Sequence, residues 1–175
     1  MKPEIFGQTL GGVAVLLGFI AFQMKTARKI LAFEIATATV FSVHYLCLGA
    51  WTAAALNSLC ILQSVAYYFR ERCEKKGRAI PLIFTVLIVG SGLLTWEGWH
   101  SLLIISGLAV YSVSMASSNP RVIRFAMLYK SPACLLYNVL VRSVGGVLYE
   151  TAVLTSSVIG LIKYKKNEID KTKES

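Results

Sequence analysis

Charged residues are scarce in this chain, where Asp, Glu, Lys and Arg make up 15% of 175 residues. An ordinary soluble domain carries about 25%. The hydrophobic set reaches 55%, and this excludes a disordered chain, because an apolar sequence of low charge does not stay solvated. Only four cysteines are present, which excludes a disulfide-rich secreted scaffold. The composition is that of a membrane protein.

The sequence also lacks the motifs of several function classes. We find no nucleophile–base motif and no phosphate-binding loop, so we expect no enzymatic activity. One membrane histidine and scattered cysteines lack the spacing of metal ligands, so we expect no metal and no cofactor. Lys and Arg number 18 against 9 Asp and Glu, a net charge of +9. These cations form short clusters between apolar runs, unlike the continuous basic face of a nucleic-acid binder, so we expect no nucleic-acid partner.

Long apolar segments occupy most of the chain. A membrane-spanning helix needs roughly 20 mostly apolar residues, and seven segments fit: 5–23, 29–50, 52–69, 79–95, 100–116, 121–141 and 143–162. The first segment has no cleavage pattern and no polar gap after it, so we interpret it as a retained span. The separations at Trp51 and at Arg142–Ser143 are weak. Six spans, one of them a long kinked helix, are therefore the alternative.

The distribution of cations predicts the orientation. With the N-terminus outside, 15 of the 18 lysines and arginines fall on the inner side, two fall on the outer side, and Lys130 lies within a span. This split obeys the positive-inside rule only with the N-terminus out and the C-terminus in. Trp51, Trp96 and Trp99 fall at the outer boundary, where interfacial aromatic residues belong. The basic inner side also predicts contact with anionic inner-leaflet lipids.

A shift of 93 residues superposes the first three spans on the last three without a gap. It aligns Arg28 with Arg121 and Asn57 with Glu150. Both halves start on the same side, because the fourth span returns the chain across the membrane. The predicted all-α fold has a three-helix bundle (1–78), a linker helix (79–99), a second three-helix bundle (100–163) and a basic cytoplasmic tail (164–175). Such parallel repeats, related by an axis along the membrane normal, form the SWEET type of transporter architecture.

Several segments resemble the YgjV family of small bacterial inner-membrane proteins. They are Phe22-Gln23-Met24-Lys25 through His44-Tyr45-Leu46-Cys47-Leu48-Gly49-Ala50, Asn119-Pro120-Arg121, Tyr137-Asn138, and Ser143-Val144-Gly145-Gly146 with Glu150. The chain is also distantly similar to SWEET sugar facilitators, PQ-loop transporters and PnuC vitamin transporters. That resemblance implies a transport path between two three-helix bundles. Gln23 looks like the PQ-loop glutamine, with Phe22 in place of the proline.

Polar side chains within the spans are the candidate site residues, because they need partners or a wet cavity in hydrocarbon. Resemblance to SWEET proteins, whose matching spans carry paired asparagines, implies that Asn57 and Glu150 contact the solute. Hydrogen bonding of each within its own bundle is the alternative. Lys130 is the costliest residue and needs a carboxylate, for which Glu150 and Glu34 are both available. Asn138 is a further candidate for solute binding.

Three residues are candidates for gating or proton relay: His44, Gln23 and Glu34. For His44 the alternative is a hydrogen-bonded interface histidine, and for Glu34 it is a salt bridge with Arg28 or Lys29 at the membrane boundary. We also hypothesise that Glu150 either couples solute movement to protons or holds a cationic or polyhydroxy solute. Asn57 would then supply orienting hydrogen bonds.

The sequence favours a transporter of a small polar solute that works by alternating access. A non-transporting receptor, sensor or scaffold is the alternative, since one fold hosts both roles. A polar cavity between the bundles that contains Asn57 and Glu150 would favour transport, whereas a scaffold would fill the seam with apolar side chains. The small-residue stripe of the first span (Gly7, Gly11, Ala14, Gly18) predicts close helix packing within the chain, with a homodimer face as the alternative.

Overall fold

A computed structural model describes residues 3–24, 27–72, 79–115 and 120–173, and the regular structure in these ranges is helical throughout. The helices are α1 (Pro3–Gln23), α2 (Ala27–Cys47), α3 (Trp51–Arg72), α4 (Ala79–Leu94), α5 (Ser101–Ser114), α6 (Pro120–Leu140) and α7 (Val144–Lys173). They coincide with the seven predicted segments to within a few residues, except that α7 continues through most of the predicted tail. No glycine or proline follows Gly160 to end that helix.

Two weak separations in the sequence are true helix breaks. Between α2 and α3 the chain turns at Gly49, whose φ is +72°, and between α6 and α7 it turns at Arg142, whose φ is +56°. The left-handed region favours glycine and costs other residues about 1–2 kcal/mol. One long kinked helix at either place is therefore the wrong interpretation.

Both breaks use the same hydrogen bonds. The Ala50 N–H donates to the Tyr45 carbonyl at 2.9 Å, and the Ser143 N–H donates to the Asn138 carbonyl at 2.8 Å. A bond of this span around a left-handed residue is the Schellman motif, which satisfies carbonyls at the end of a helix. It reverses the chain within three residues, so that α3 and α7 return beside the helices before them.

The helices pack into two halves. In the first, α2 packs against both α1 and α3, and in the second, α6 packs against both α5 and α7. The halves meet where α1 contacts α7 and where α3 contacts α4 and α5. The core includes Ala14, Phe41 and Leu56 from the first half and Ile104 and Tyr137 from the second. It therefore extends across the seam between the halves.

The outer surface is apolar on every one of these helices, and each carries exposed large hydrophobic side chains. Surfaces of this kind mark contact with a membrane or a partner. By length and apolarity alone, one described helix could cross a membrane, α1 over Glu4–Ala21. Shorter apolar stretches are Leu31–Cys47, Ala79–Leu94, Ser101–Ser114 and Val144–Ile159. In α3 and α6, polar side chains on the inner face lower the mean hydropathy.

The small-residue stripe of α1 is covered within the chain. A Cβ added at Gly145 would lie 2.6 Å from backbone atoms of Gly11, and one added at Gly7 would lie 2.8 Å from the Cys47 side chain. The backbones of α1 and α7 are therefore in direct contact, as glycine pairs allow. This favours the first interpretation of the stripe, and a homodimer stays a prediction.

Candidate functional site

A cavity of about 160 Å³ lies between the two halves. Its walls come from α2 and α3 on one side and from α5, α6 and α7 on the other. Of the sequence-predicted site residues, it brings together those for solute binding and one candidate relay residue: Asn57, Glu150, Lys130, Asn138 and Glu34. Apolar side chains therefore do not close the seam completely, since these polar groups line a cavity within it.

Lys130 and Glu150 form an ion pair in this cavity. The Lys130 ammonium lies 2.9 Å from Oε1 of Glu150, and the two side chains are 14% and 7% exposed. Of the two carboxylates that the sequence left open, Glu150 is therefore the one in contact. The second oxygen of Glu150, Oε2, is buried without a hydrogen-bond partner among the described residues. A buried carboxylate oxygen normally has such a partner, so the cavity offers an unused acceptor.

Glu34 and Asn57 line the same cavity from the first half. Asn57 donates from Nδ2 to the Ala53 carbonyl at 2.9 Å, within its own helix. Asn57 therefore lines the cavity and also bonds within its own bundle, and its contact with a solute stays a prediction. Of the partners predicted for Glu34, the Arg28 side chain lies outside the described residues.

His44 is fully buried and is not among the residues that line the cavity, although the next residue, Tyr45, is. Its Nδ1 lies 2.7 Å from the Gly7 carbonyl, and its Nε2 lies 2.7 Å from the Ser143 hydroxyl. A carbonyl only accepts, so we assign the proton to Nδ1 and let Nε2 accept from Ser143. The Ser143 oxygen in turn accepts the Gly146 N–H at 3.0 Å. His44 thereby joins α1 and α2 to the start of α7, as the alternative of an interface histidine predicted.

Tyr45 and Asn138 make a second link across the seam. The Tyr45 hydroxyl donates to Oδ1 of Asn138 at 2.6 Å, and both side chains are buried. Gly146 leaves the space that the Asn138 amide occupies, since an added Cβ would collide with it. We call the two hydrogen bonds His44–Ser143 and Tyr45–Asn138 the outer closure, after the side of the membrane on which the sequence predicts these helix ends to lie.

A glutamine reinforces the outer closure at the helix ends. Gln8 donates to the Arg142 carbonyl at 2.7 Å and accepts the Val144 N–H at 3.2 Å. It thereby caps both the end of α6 and the start of α7 from α1. Glu97 caps α3 in a related way, accepting the N–H groups of Trp51 and Thr52 at 2.9 and 3.0 Å. A carboxylate at a helix N-terminus is favourable because the free N–H groups and the helix dipole attract negative charge.

Several residues of the site escaped the sequence analysis. Ser143 carries half of the outer closure, and Tyr111 and Tyr149 line the cavity beside Lys130 and Glu150. Tyr111 lies three residues before the end of α5, and Tyr149 lies five residues after the start of α7. Tyrosine near the end of a membrane helix is usually an interfacial residue, so their position in the sequence did not indicate a cavity. Gln23 ends α1, and its side chain is outside the part of the chain that the structure describes.

Comparison with known proteins agrees with the apolar surface. No curated protein and no solved structure matches the chain significantly. The family Imp-YgjV, described as bacterial inner membrane protein, matches residues 5–168, which is nearly the whole chain. The chain therefore belongs to the Imp-YgjV family and is a helical protein of the bacterial inner membrane.

Proposed function

We propose that the chain moves a small polar solute across the inner membrane by alternating access of the cavity between its two halves. One observation carries the proposal: the cavity is lined by both halves and holds an ion pair, a further carboxylate and three side-chain amides. Keeping such groups away from water in the membrane interior costs free energy. Binding a polar solute on a path between two bundles that move against each other would give these groups a function.

A repeat relationship supports the movement of two similar bundles. Gly49 and Arg142 are 93 residues apart in the sequence, and both take the left-handed conformation. Tyr45 and Asn138 are also 93 residues apart, and they hydrogen-bond to each other. Two equivalent positions can touch only where they meet near a common twofold axis. The contact therefore supports parallel repeats of the SWEET type, with the axis passing through the outer closure.

The proposal also includes seven membrane spans and an N-terminus on the outer side of the membrane. Exposed apolar side chains on all the described helices are what lipid contact requires. The polar residues that lower the hydropathy of α3 and α6 include Asn57, Gln63, Lys130 and Asn138, which line the cavity. The distribution of cations supports the orientation.

The arrangement supports a state that is closed to the outside. The outer closure lies where α2 and α6 end and α7 begins. The cavity lining extends from there to Leu31 and Met115, near the opposite ends of α2 and α5. With the N-terminus outside, those opposite ends face the cytoplasm. Opening to the outside then requires the four hydrogen-bonding groups of the outer closure to separate.

Labelling of single thiols from each side of the membrane tests this proposal without a known solute. Cys60 lines the cavity, while Cys47 lies at the outer end of α2 and Cys73 falls in the predicted inner loop, outside the described residues. Three variants retain one of these cysteines each and replace the others by serine. A membrane-impermeant thiol reagent is then applied to right-side-out and inside-out vesicles.

Alternating access predicts that Cys60 is labelled quickly from the inside and slowly, but measurably, from the outside. Cys47 should react only from the outside and Cys73 only from the inside, which calibrates the two vesicle preparations. Replacing Asn138 by alanine removes one bond of the outer closure and should speed outside labelling of Cys60. A non-transporting receptor or scaffold predicts no outside labelling of Cys60 in either background, and that result would reject the proposal.

A further inference from the structure

The described residues that line the cavity carry more negative than positive charge. Two carboxylates, Glu34 and Glu150, face it together with one cation, Lys130. The ammonium of Lys130 is already committed to Glu150 at 2.9 Å. Buried charges are stable when they are paired, so the described residues that line the cavity leave one negative charge without a paired cation. An anionic solute would meet two carboxylates and an occupied lysine.

Two buried acceptors in the cavity have no protein donor within the described residues. One is Oε2 of Glu150, whose residue is 5% exposed, and the other is the hydroxyl oxygen of Thr37, whose residue is 4% exposed. Both residues line the cavity. A bound group that donates hydrogen bonds would satisfy them, and a charged N–H donor would also supply the missing charge.

Aromatic rings form much of the remaining wall. Five aromatic residues line the cavity: Phe41, Tyr45, Tyr67, Tyr111 and Tyr149. The Lys130 ammonium already lies 5.8 Å from the centroid of the Tyr111 ring, within the range of a cation–π contact. Aromatic faces together with carboxylates are the surroundings that proteins use to bind organic cations.

The size of the cavity suits a small ligand. A volume of about 160 Å³ is close to that of a protein cavity of about 150 Å³ that holds benzene. This space accommodates a ligand of roughly six or seven non-hydrogen atoms. A neutral sugar would not supply the missing positive charge.

We propose that the cavity binds a small organic cation with a hydrogen-bond donor, either a primary amine, whose N–H groups donate, or a quaternary ammonium alcohol, whose hydroxyl donates, held by Glu34 and by the free oxygen of Glu150. This assignment deepens the proposed transport function and rests on the cavity being its path. The cation completes the charge of the site, and the aromatic rings contact its apolar part. The amides of Asn57 and Asn138 lie on the same cavity and can hydrogen-bond to its polar group.

Calorimetric titration of the purified full-length chain in detergent tests the assignment. The probes are choline, ethanolamine, acetate and neohexyl alcohol, which has the shape of choline without its charge. We expect at least one of the two cations, choline and ethanolamine, to bind. The neutral alcohol and acetate should bind at least about tenfold more weakly than that cation. This ratio corresponds to about 1.4 kcal/mol, the lower end of the contribution of a charged hydrogen bond. The comparison uses the unmodified protein, so it does not depend on the folding of any variant.

Glu34→Gln then locates the binding. The variant should weaken binding of the amine roughly tenfold or more, whereas Glu4→Gln, an exposed carboxylate on α1, should leave it unchanged. Binding of the neutral alcohol as tight as that of the tighter-binding cation, tighter binding of acetate, or no binding of either cation would overturn the assignment. Thiol labelling from both sides with binding of neutral ligands only would keep transport and reject the cation. Binding of a cation without outside labelling of Cys60 would keep the cation assignment and reject transport.

Discussion

The ion pair between Lys130 and Glu150 permits a quantitative test by a double-mutant cycle. With charges 2.9 Å apart and an effective dielectric constant of about 20, the Coulomb attraction is about 6 kcal/mol. Desolvation of two charges offsets much of this, so the net contribution of the pair is small. Breaking the pair is different, because one charge stays buried alone, at a cost of about 3–5 kcal/mol.

Lys130→Met keeps most of the side-chain volume and leaves Glu150 unpaired. The buried carboxylate can escape by taking up a proton. At pH 7, protonating a glutamate of reference pKa about 4.3 costs about 3.7 kcal/mol. The loss in free energy of unfolding therefore cannot exceed this value. We therefore expect the single variant to lose about 3–4 kcal/mol. The double variant with Glu150→Gln removes both charges and should lose less than either single variant.

Unfolding of the purified variants by titration with a denaturing detergent measures these free energies. Lys29→Met, at an exposed position of α2, serves as the control and should change stability by less than about 0.5 kcal/mol. The coupling energy between Lys130 and Glu150 should be at least about 2 kcal/mol in the stabilising direction. If the double variant instead loses the sum of the two single losses, the groups are not coupled, and Glu34 becomes the better partner for Lys130.

Two further predictions concern packing and orientation. Gly145→Ala should destabilise the fold by about 1–3 kcal/mol, because the new methyl group meets the α1 backbone at 2.6 Å. Gly12→Ala, with nothing within 4 Å, is the control and should be neutral or stabilising. The same detergent titration compares the two variants, and equal stabilities would mean that α1 and α7 are not in contact. A reporter fused to the C-terminus should be active only if it works in the cytoplasm, and one fused to the N-terminus only if it works in the periplasm; a periplasmic C-terminus would contradict both the orientation and the span count.

Hydropathy predicted the positions of the helices well. Each of the seven predicted segments became a helix, because in hydrocarbon the backbone must satisfy its hydrogen bonds internally. The weak separations at Trp51 and at Arg142–Ser143 show the limit of this signal. An arginine in the left-handed conformation breaks α6 as sharply as Gly49 breaks α2, yet nothing in its residue type indicates a turn.

Some members of the candidate site were predictable from the sequence, but their contacts were not. Lys130, Asn57 and Glu150 were identifiable because polar groups are rare and expensive in apolar helices. Whether Lys130 would pair with Glu150 or Glu34 depended on helix rotation, which the sequence does not specify. The outer closure was least predictable, since Ser143 is a small polar residue at a turn, and its bond to His44 joins positions 99 residues apart.

The distance between the outer ends of α2 and α6 tests the central claim most directly. Leu46 and Val139 are exposed residues near those ends, and spin labels at cysteines placed there, in a background without other cysteines, report the separation of the two halves in lipid bilayers. Alternating access predicts a main short distance and a minor longer one, with the longer population increased when Asn138→Ala removes a bond of the outer closure. A single distance that is unchanged by that substitution would show that the halves do not separate, and would contradict the account.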